Sequence, residues 1–461
     1  MNCEDTICAI ATPAGMGGIA VARVSGPQAI DIVARRWHGA PLGNMASHTV
    51  HLGSIVDSQG QQLDQVVLTL YRGPHSFTGE DVIEIACHGS PWIQQQLLTT
   101  LIDAGCRMAT GGEFTRRAVL AGRLDLSQAE AVADVIAARS QASARLALNQ
   151  MRGGLSRRLT ALRERLLHFV ALIELELDFS EEDVEFADRS QVSALAVEIE
   201  QQISRLAQSF GAGNAIKDGV PVAIVGQTNA GKSTLLNALV HDDRALVSDI
   251  HGTTRDVIEE TITIGGTLFR LIDTAGIRQS DDVIEAMGIE RSYRMLDAAQ
   301  VVLWVIDGTT APLQVQTFGQ QIIPHCHDKH LIAVVNKTDL ADVRPLVIAL
   351  PELLPVGADV VAISAHSEAD VSLLQQRIVA AAALPQVDDD TVIITNARHY
   401  QALTRAGEAI RRTLDGLRDG LPGDLVSQDI RECLYHLGTI TGQITTDEIL
   451  GEIFAHFCVG K

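Results

Sequence analysis

The stretch PVAIVGQTNAGKST, residues 221–234, decides the fold of the middle of this chain. Its apolar residues 222–225 predict a buried strand, and Leu235, Leu236 and Leu239 have helical spacing. Between them stands Gly-x-x-x-x-Gly-Lys-Ser, which is typical of a phosphate-binding loop in this strand–helix context. A chance glycine turn is the alternative, but it would not explain the flanking strand and helix.

The chemistry of such a loop assigns roles to its residues. Glycines allow backbone N–H groups to converge on phosphate oxygens. Lys232 is expected to neutralise the β- and γ-phosphates, and Ser233 to ligate Mg²⁺. The stretch therefore predicts a nucleoside triphosphate site.

Two motifs downstream predict which base is bound. Asn-Lys-Thr-Asp, residues 336–339, follows the apolar run 331–335. The Asp339 carboxylate can accept hydrogen bonds from the N1–H and 2-amino groups of guanine, a donor pair that adenine lacks. Ser364 and Ala365 follow a further apolar run and suit a backbone contact to the guanine carbonyl oxygen. The pattern favours GTP over ATP.

Two motifs between the loop and the base-binding residues predict hydrolysis. Asp273 opens Asp-Thr-Ala-Gly after an apolar run, where it can hold Mg²⁺ through water and Gly276 can meet the γ-phosphate. Thr254, in Gly-Thr-Thr-Arg-Asp, can ligate Mg²⁺ only while the γ-phosphate is present, as a switch segment does. Because the loop and three motifs end predicted strands in order, a doubly wound, mostly parallel GTPase sheet is expected.

Composition restricts the partners and the compartment. The 461 residues carry a net charge of −21, which argues against a broad basic RNA-binding face, so RNA would need a local patch or a partner. Seven cysteines without a Cys-x-x-Cys pair indicate neither a zinc site nor a disulfide framework. No basic signal-peptide region and no apolar run of membrane-spanning length are present. A cytoplasmic protein without a membrane partner is expected.

The flanks of the GTPase region differ from each other. Residues 1–120 contain predicted strands at 50–56, 66–70 and 82–86, which indicate an α+β domain. Helical periodicity dominates after Ser127, which has the spacing of a capping box with Glu130.

Helical patterns lie on both sides of the GTPase. Apolar residues step by three or four from 155 to 177, and Gly211 and Gly213 are expected to link the helices to the nucleotide domain. Helices resume near 396. One helical domain with an inserted GTPase is favoured over two independent helical pieces, because short helical pieces need partners.

Several motifs together resemble the MnmE (TrmE) family of tRNA modification GTPases. They are Asn229 in the loop, the switch and Asp-Thr-Ala-Gly motifs, and residues 71–81, 124–130 and 457–461. The resemblance covers the whole chain. It implies an N-terminal α+β folate-binding-like domain at 1–120, a helical domain at 121–216 and 384–461, and an inserted Ras-like P-loop GTPase domain at 217–383.

The resemblance also implies a site for a tetrahydrofolate derivative (5-formyl or methylene) in the N-terminal domain. Arg23 would hold the folate glutamate and Glu80 the pterin N–H groups, with Arg123 and Lys461 as further contacts. Arg123 stands where the family often has Lys. From the residues alone, the favoured interpretation of Arg23 and of Glu80 is a surface ion-pair residue. Cys458 matches a cysteine regarded as functional in the family, and packing is its other interpretation.

Catalysis is also implied to differ from the Ras type. Ile277 occupies the place of the water-orienting Gln, and no arginine finger is identifiable in cis. The resemblance implies a K⁺ ion held by Asn229, Ser248, Ile250 and Thr253, with Glu285 catalytic. Lys232 and Arg278 complete the catalytic set. The expected nucleotide-binding residues are Asn229, Ala230, Gly231, Lys232, Ser233, Thr234, Ser248, Asp249, Ile250, His251, Gly252, Thr253, Thr254, Asp273, Thr274, Ala275, Gly276, Asn336, Lys337, Asp339, Ser364 and Ala365.

As a whole, the resemblance implies a potassium-dependent GTPase driven by dimerisation of its GTPase domains. It would be a homodimer that forms a heterotetramer with an MnmG-like FAD protein, FAD entering only through that partner. The pair would add an aminomethyl or carboxymethylaminomethyl group to the wobble uridine of certain tRNAs. The alternatives are a GTPase switch in ribosome assembly and a folate-dependent aminomethyltransferase without a redox partner.

Overall fold

The computed structural model describes residues 5–178, 189–241, 260–272, 296–385, 387–388, 391–445, 450–451, 453–454, 457 and 460. The chain divides into two compact units. Unit 1 comprises residues 1–136, 150–201 and 402–461, and unit 2 comprises 137–149 and 202–401.

The strands of the described residues are as follows: β1 Ile7–Ile10, β2 Ile19–Ser25, β3 Trp37–His38, β4 Thr49–Val56, β5 Gln62–Tyr71, β6 Val82–His88, β7 Arg107–Met108, β8 Val220–Val225, β9 Glu260–Ile264, β10 Thr267–Leu271, β11 Val301–Asp307, β12 His330–Asn336 and β13 Asp359–Ala362.

The α-helices of the described residues are as follows: α1 Ala29–Ala34, α2 Pro91–Asp103, α3 Glu113–Leu120, α4 Leu126–Ala137, α5 Gln141–Met151, α6 Gly154–Asp178, α7 Arg189–Gln208, α8 Phe210–Asp218, α9 Lys232–His241, α10 Pro312–Ile322, α11 Arg344–Leu353, α12 Glu368–Ala382, α13 Ala397–Arg418 and α14 Gly423–Thr441. Short 3₁₀ helices lie at Leu42–Asn44 and Ile323–Cys326. None of these helices is long and apolar enough to cross a membrane.

Unit 1 contains a seven-stranded sheet in the order β3-β4-β5-β6-β2-β1-β7. Neighbouring strands are antiparallel, except that β1 and β7 are parallel. Alternate residues such as Leu68, Leu70, Ile83 and Ile85 are buried on one face, which packs against α1 and α2. The predicted strands at 50–56, 66–70 and 82–86 are confirmed within β4, β5 and β6.

The helical part of unit 1 is built on the predicted apolar stripe. Residues 155, 159, 162, 166, 170 and 173 of α6 are all buried, and α6 packs along α14. Gly153 separates α5 from α6 with φ +81°, a conformation that suits glycine. The helical region is therefore interrupted at Gly153, and α6 begins at Gly154.

Unit 2 contains a six-stranded sheet in the order β13-β12-β11-β8-β10-β9. Its strands are parallel apart from the antiparallel pair β9 and β10. One face packs against α9 and α12, and the other against α10 and α11. Because the strands are covered on both faces, each predicted strand was a nearly continuous apolar run. The doubly wound, mostly parallel sheet is confirmed.

The capping box at the start of α4 lies two residues earlier than expected. The Asp125 carboxylate accepts a hydrogen bond from the Gln128 backbone N–H at 2.9 Å. In return, the Gln128 side-chain oxygen accepts from the Asp125 N–H at 3.0 Å. Ser127 lies inside the helix and its hydroxyl donates to Asp125 at 2.8 Å. The assignment to Ser127 and Glu130 was wrong because Asp with Gln satisfies the same reciprocal geometry.

The role expected for Gly211 and Gly213 was also wrong. Both residues lie inside α8 and not in a linker. A Cβ added at Gly213 would lie 2.0 Å from the Ile394 carbonyl oxygen, whereas one added at Gly211 would meet nothing within 4 Å. Gly213 is therefore required by the close approach of the 394 backbone to α8, a contact that the local sequence pattern does not show.

The two glycines provide a matched test of this packing. Gly213→Ala is expected to destabilise unit 2 by about 1–3 kcal/mol, because the new methyl group must displace a backbone carbonyl. Gly211→Ala, in the same helix, should stabilise it by up to about 1 kcal/mol through helix propensity. Native-state hydrogen exchange of the β11 amides measures both effects. Equal exchange in the two variants would contradict this account of Gly213.

Candidate functional site

The phosphate-binding loop joins β8 to α9 at the carboxyl edge of the unit 2 sheet. Gly231 has φ +92°, and a Cβ there would lie 2.2 Å from the Asn336 side-chain nitrogen. Asn229 also has a positive φ of +62° and is exposed. Left-handed residues turn successive N–H groups towards one point, which makes an anion-binding concavity. The loop has the backbone geometry that phosphate binding requires.

Lys232 lies across this loop. Its Nζ donates hydrogen bonds to the carbonyl oxygens of Gly226 at 2.8 Å and Gln227 at 2.7 Å. Burial lowers the pKa of Lys232. A triphosphate beside the loop would supply anionic oxygens that an ammonium group prefers to neutral carbonyls.

Asn336 connects three loops with one side chain. Its amide nitrogen donates to the Ala230 carbonyl oxygen at 3.0 Å, and its amide oxygen accepts from the Ala365 N–H at 3.0 Å. The side chain is almost fully buried, with 2% exposed. Asn336, expected only as a nucleotide contact, thus holds the phosphate loop and both base-binding loops together.

Lys337 is held by an acid that sequence reasoning missed. Lys337 has φ +65°, and its Nζ donates to the Asp307 carboxylate at 2.7 Å. Asp307 also accepts from the N–H and hydroxyl of Thr309. Burial alone would raise the pKa of Asp307, but the hydrogen bonds from Lys337 and Thr309 lower it overall. The sequence did contain a signal for Asp307, because this residue follows the apolar run 301–306. In the structure it lies beside the end of β12.

Asp339 is exposed at the rim of the site. A hydrogen bond from the Ser364 side chain is the main cause that lowers the pKa of Asp339, so the group is an ionised acceptor. The Ser364 N–H donates to Asp370 at 2.8 Å, and the Ala365 N–H is bound to Asn336. Because both amides have protein acceptors, a backbone contact from them to guanine stays a prediction.

The folate residues expected from the resemblance lie in unit 1. Arg23 pairs with Glu84 at 2.7 Å, and its guanidinium carbon lies 5.3 Å from the ring centre of Phe77 and 5.7 Å from that of Phe114. The interpretation of Arg23 as an ion-pair residue is therefore confirmed by its contact with Glu84. The guanidinium group of Arg23 lies over these aromatic rings and remains partly exposed.

Glu80 is bonded to the last residue of β2, the strand that carries Arg23. Its carboxylate accepts a hydrogen bond from Ser25 at 2.7 Å and from Arg117 at 3.1 Å. Ser25 and Arg23 are two residues apart on β2 and so face the same side of the sheet. The structure therefore brings Arg23 and Glu80 to one end of β2.

The remaining expected folate residues are Arg123 and Lys461. The exposed Arg123 has its side-chain carbon 3.4 Å from a Cβ built on Gly79, the residue before Glu80. A Cβ on Gly460 would lie 2.2 Å from the carbonyl oxygen of Ile10, at the end of β1. Lys461 itself lies outside the described residues.

Other expected site residues also lie outside the described residues: Ser248, Asp249, Ile250, His251, Gly252, Thr253, Thr254, Asp273, Thr274, Ala275, Gly276, Arg278, Glu285 and Cys458. Their roles stay predictions. Within the described ranges, no group of three His, Cys, Asp or Glu side chains is placed to hold a metal ion.

Comparison with known proteins identifies the family. The family model described as the MnmE helical domain matches residues 126–458, and the model described as the GTP-binding protein TrmE N-terminus matches residues 6–123. This chain belongs to the MnmE family. The predicted family and the predicted fold class are confirmed.

Curated MnmE relatives extend over nearly the whole chain. The proteins named tRNA modification GTPase MnmE are 55% identical in Bacteroides fragilis over 465 residues and 54% identical in Parabacteroides distasonis over 462 residues. Both alignments cover 99% of this chain and 100% of the relative. The Flavobacterium johnsoniae protein of the same name is 48% identical, with 99% of each chain covered.

The base preference of this MnmE family member is tested at Asp339. Asp339→Asn would place a donor opposite the donors of guanine, which leaves groups on both sides without an acceptor. GTP affinity is expected to fall by about 10-fold or more, while xanthosine triphosphate, which has a carbonyl there, binds better. Fluorescence titration measures both. Asp342→Asn, three residues along and paired with Arg344, is the matched control and should change neither affinity. Equal binding of GTP and ATP by the native protein would contradict the assignment.

Proposed function

We propose that this chain, a GTP hydrolase of tRNA modification by its family, acts on the wobble uridine of certain tRNAs. With an MnmG-like FAD protein it would add an aminomethyl or carboxymethylaminomethyl group, drawing the carbon from a tetrahydrofolate derivative. The observation that carries the proposal is the Asn336 amide, which joins the phosphate loop to the guanine loops. Arg23 and Glu80, at one end of β2 in unit 1, support the folate component.

The nucleotide chemistry is assigned to the loop residues. Lys232 and the loop N–H groups hold the phosphates, and Asp339 selects guanine. Mg²⁺, held by Ser233 and Thr254, neutralises phosphate charge when bound. Asp273 is proposed to hold Mg²⁺ through water, and Gly276 is proposed to contact the γ-phosphate.

Potassium is proposed to supply the charge that an arginine finger supplies elsewhere. Asn229 is the potassium residue that the structure describes, and it lies exposed on the phosphate loop. Its amide oxygen is the type of ligand that a hard cation accepts. Ser248, Ile250 and Thr253 complete the proposed ligands, while Glu285, with Arg278 as a lesser contributor, is proposed to act on the attacking water.

The folate chemistry is assigned to unit 1. Glu80 has acceptor oxygens for the pterin N–H groups, and Arg23 has donors for the glutamate carboxylates. Arg123 and Lys461 are proposed as additional contacts, and Cys458 as a residue with a chemical role. The folate supplies a one-carbon unit when it is bound.

The assembly is proposed to be a homodimer through the N-terminal domains and a heterotetramer with the FAD protein, in the cytoplasm. GTP hydrolysis would drive approach and separation of the two GTPase domains. The division into 1–120, 121–216, 217–383 and 384–461 is part of this proposal.

Two other functions differ in what the chain should bind. A ribosome-assembly switch would bind ribosomal RNA and usually carries a basic appendage, which the net charge of −21 argues against. A folate-dependent aminomethyltransferase would bind folate and tRNA but no flavoprotein.

Affinity capture of the tagged full-length chain separates these functions. The proposal expects tRNA and an FAD-containing protein in the eluate, detected by RNA sequencing and flavin absorbance. Ribosomal subunits without flavin would support the assembly switch and contradict the proposal. Recovery of tRNA without flavin would support the aminomethyltransferase.

Potassium dependence tests the catalytic assignment. Exchange of Na⁺ for K⁺ at constant ionic strength is expected to raise GTP hydrolysis by about 10-fold or more, since a finger charge is worth about 10³–10⁵ in rate. Asn229→Ala should abolish this response but spare most GTP affinity, because Lys232 and the backbone still hold the phosphates. Gln227→Ala, an exposed neighbour in the loop, is the matched control.

A second variant separates cation binding from catalysis. In Glu285→Ala, K⁺ should still promote contact between GTPase domains, measured by light scattering, while turnover is lost. Equal hydrolysis rates in Na⁺ and K⁺ would remove the cation from the mechanism.

A further inference from the structure

Five charged side chains of unit 1 form one connected cluster, hereafter the carboxylate–arginine cluster: Asp5, Glu80, Arg107, Glu113 and Arg117. Its centre is buried, with 4% of Arg117 and 3% of Glu113 exposed. Burial opposes ionisation of Glu113, but hydrogen bonds from Arg107 and Thr110 lower its pKa to about 2. Buried ion pairs are weak contributors to stability, so the cluster calls for another explanation.

Arg117 is the member that links the cluster to Glu80. Its Nη2 donates to the carboxylates of Asp5 at 2.6 Å and Glu113 at 3.2 Å. Its Nη1 donates to both oxygens of Glu80, at 3.1 and 3.3 Å. Arg107 pairs with Asp5 and Glu113, and none of its described contacts reaches Glu80.

The charges of the cluster do not balance. Three carboxylates face two guanidinium groups, and Asp5 and Glu113 each contact both of them. Among the described residues, the Glu80 carboxylate has one nitrogen of Arg117 and the Ser25 hydroxyl as donors, while 18% of its side chain is exposed. A carboxylate has about four acceptor positions, so Glu80 keeps capacity for further N–H donors. The excess negative charge therefore lies at the accessible end of the cluster.

We infer that Arg117 is a positioning residue that orients the Glu80 carboxylate towards the donor pair of a pterin ring. The inference rests on the folate component of the proposed function. Arg117 is too buried to touch the ligand itself. It acts by anchoring both carboxylate oxygens of Glu80 to α3, while Ser25 also anchors Oε2 to the end of β2. A carboxylate held at two points keeps one rotamer, so less rotational entropy is lost on binding.

The first test replaces the fork of Arg117 with a single ammonium group. In Arg117→Lys the charge remains, but one nitrogen cannot bridge Asp5, Glu113 and Glu80 together. The dissociation constant for 5-formyltetrahydrofolate, measured by calorimetry on the full-length chain, is expected to rise about 10- to 100-fold. Arg107→Lys, which removes a fork from the same cluster without touching Glu80, is the matched control and should change the constant less than about 3-fold.

A double-mutant cycle separates positioning from general stability. Once Glu80→Gln has removed the carboxylate, Arg117→Lys should cost almost nothing more in folate affinity. An unchanged penalty when Arg117→Lys is combined with Glu80→Gln would show that Arg117 acts on the fold and would overturn the inference. GTP hydrolysis in the presence of K⁺ should not change in Arg117→Lys or in Arg107→Lys.

The remaining outcomes are also decisive. If Arg117→Lys does not fold, Ser25→Ala tests the second anchor, and the dissociation constant should rise about 3- to 10-fold. No change there would overturn the inference. Absence of folate binding by the native chain would remove the folate component and this inference with it. Native binding together with equal effects of Arg117→Lys and Arg107→Lys would overturn the inference alone.

Discussion

The nucleotide site depends on the two hydrogen bonds of the Asn336 side chain. An amide can donate to Ala230 and accept from Ala365 at the same time, which neither Asp nor Leu can do. Because the group is buried, an unmatched partner would carry the full desolvation penalty. These bonds join the predicted phosphate loop to the predicted base-binding loops, so under the proposed function both ends of GTP would contact one connected structure.

That connection requires close packing at the edge of the sheet. Parallel strands β8, β11 and β12 end side by side, so their loops emerge at one edge. Gly231 leaves room for the Asn336 amide, and Gly226 leaves room for the Val305 carbonyl, each at a separation no Cβ would allow. The glycines of the motif therefore serve contacts between loops as well as the turn of the loop itself. Asp307 adds a second link by holding Lys337.

In unit 1, distant segments are joined by the ion pairs of the carboxylate–arginine cluster, whereas in unit 2 they are joined by the Asn336 amide. Placing Arg117 and Glu113 in the interior has a desolvation cost that apolar residues of similar volume would avoid. The proposed role of the cluster, which is to orient the Glu80 carboxylate while leaving it able to accept further hydrogen bonds, would account for this cost. Arg23 lies over two aromatic rings on β2, the strand whose last residue bonds Glu80, and it carries the opposite charge. Together they suit a ligand with a donor-rich ring and an anionic tail.

The sequence alone determined the phosphate loop, the preference for guanine, several strands of each sheet and the α6 stripe. Each of these depends on residues that are near one another in the chain, where spacing specifies hydrogen bonding and burial directly. Only the tertiary structure decided that Asn336 binds Ala230, 106 residues away, and that Arg117 binds Glu80 and Asp5, 37 and 112 residues away. The need for glycine at 213 was decided in the same way, by the Ile394 carbonyl. Such contacts depend on how distant segments are brought together, and no local pattern of residues records that path.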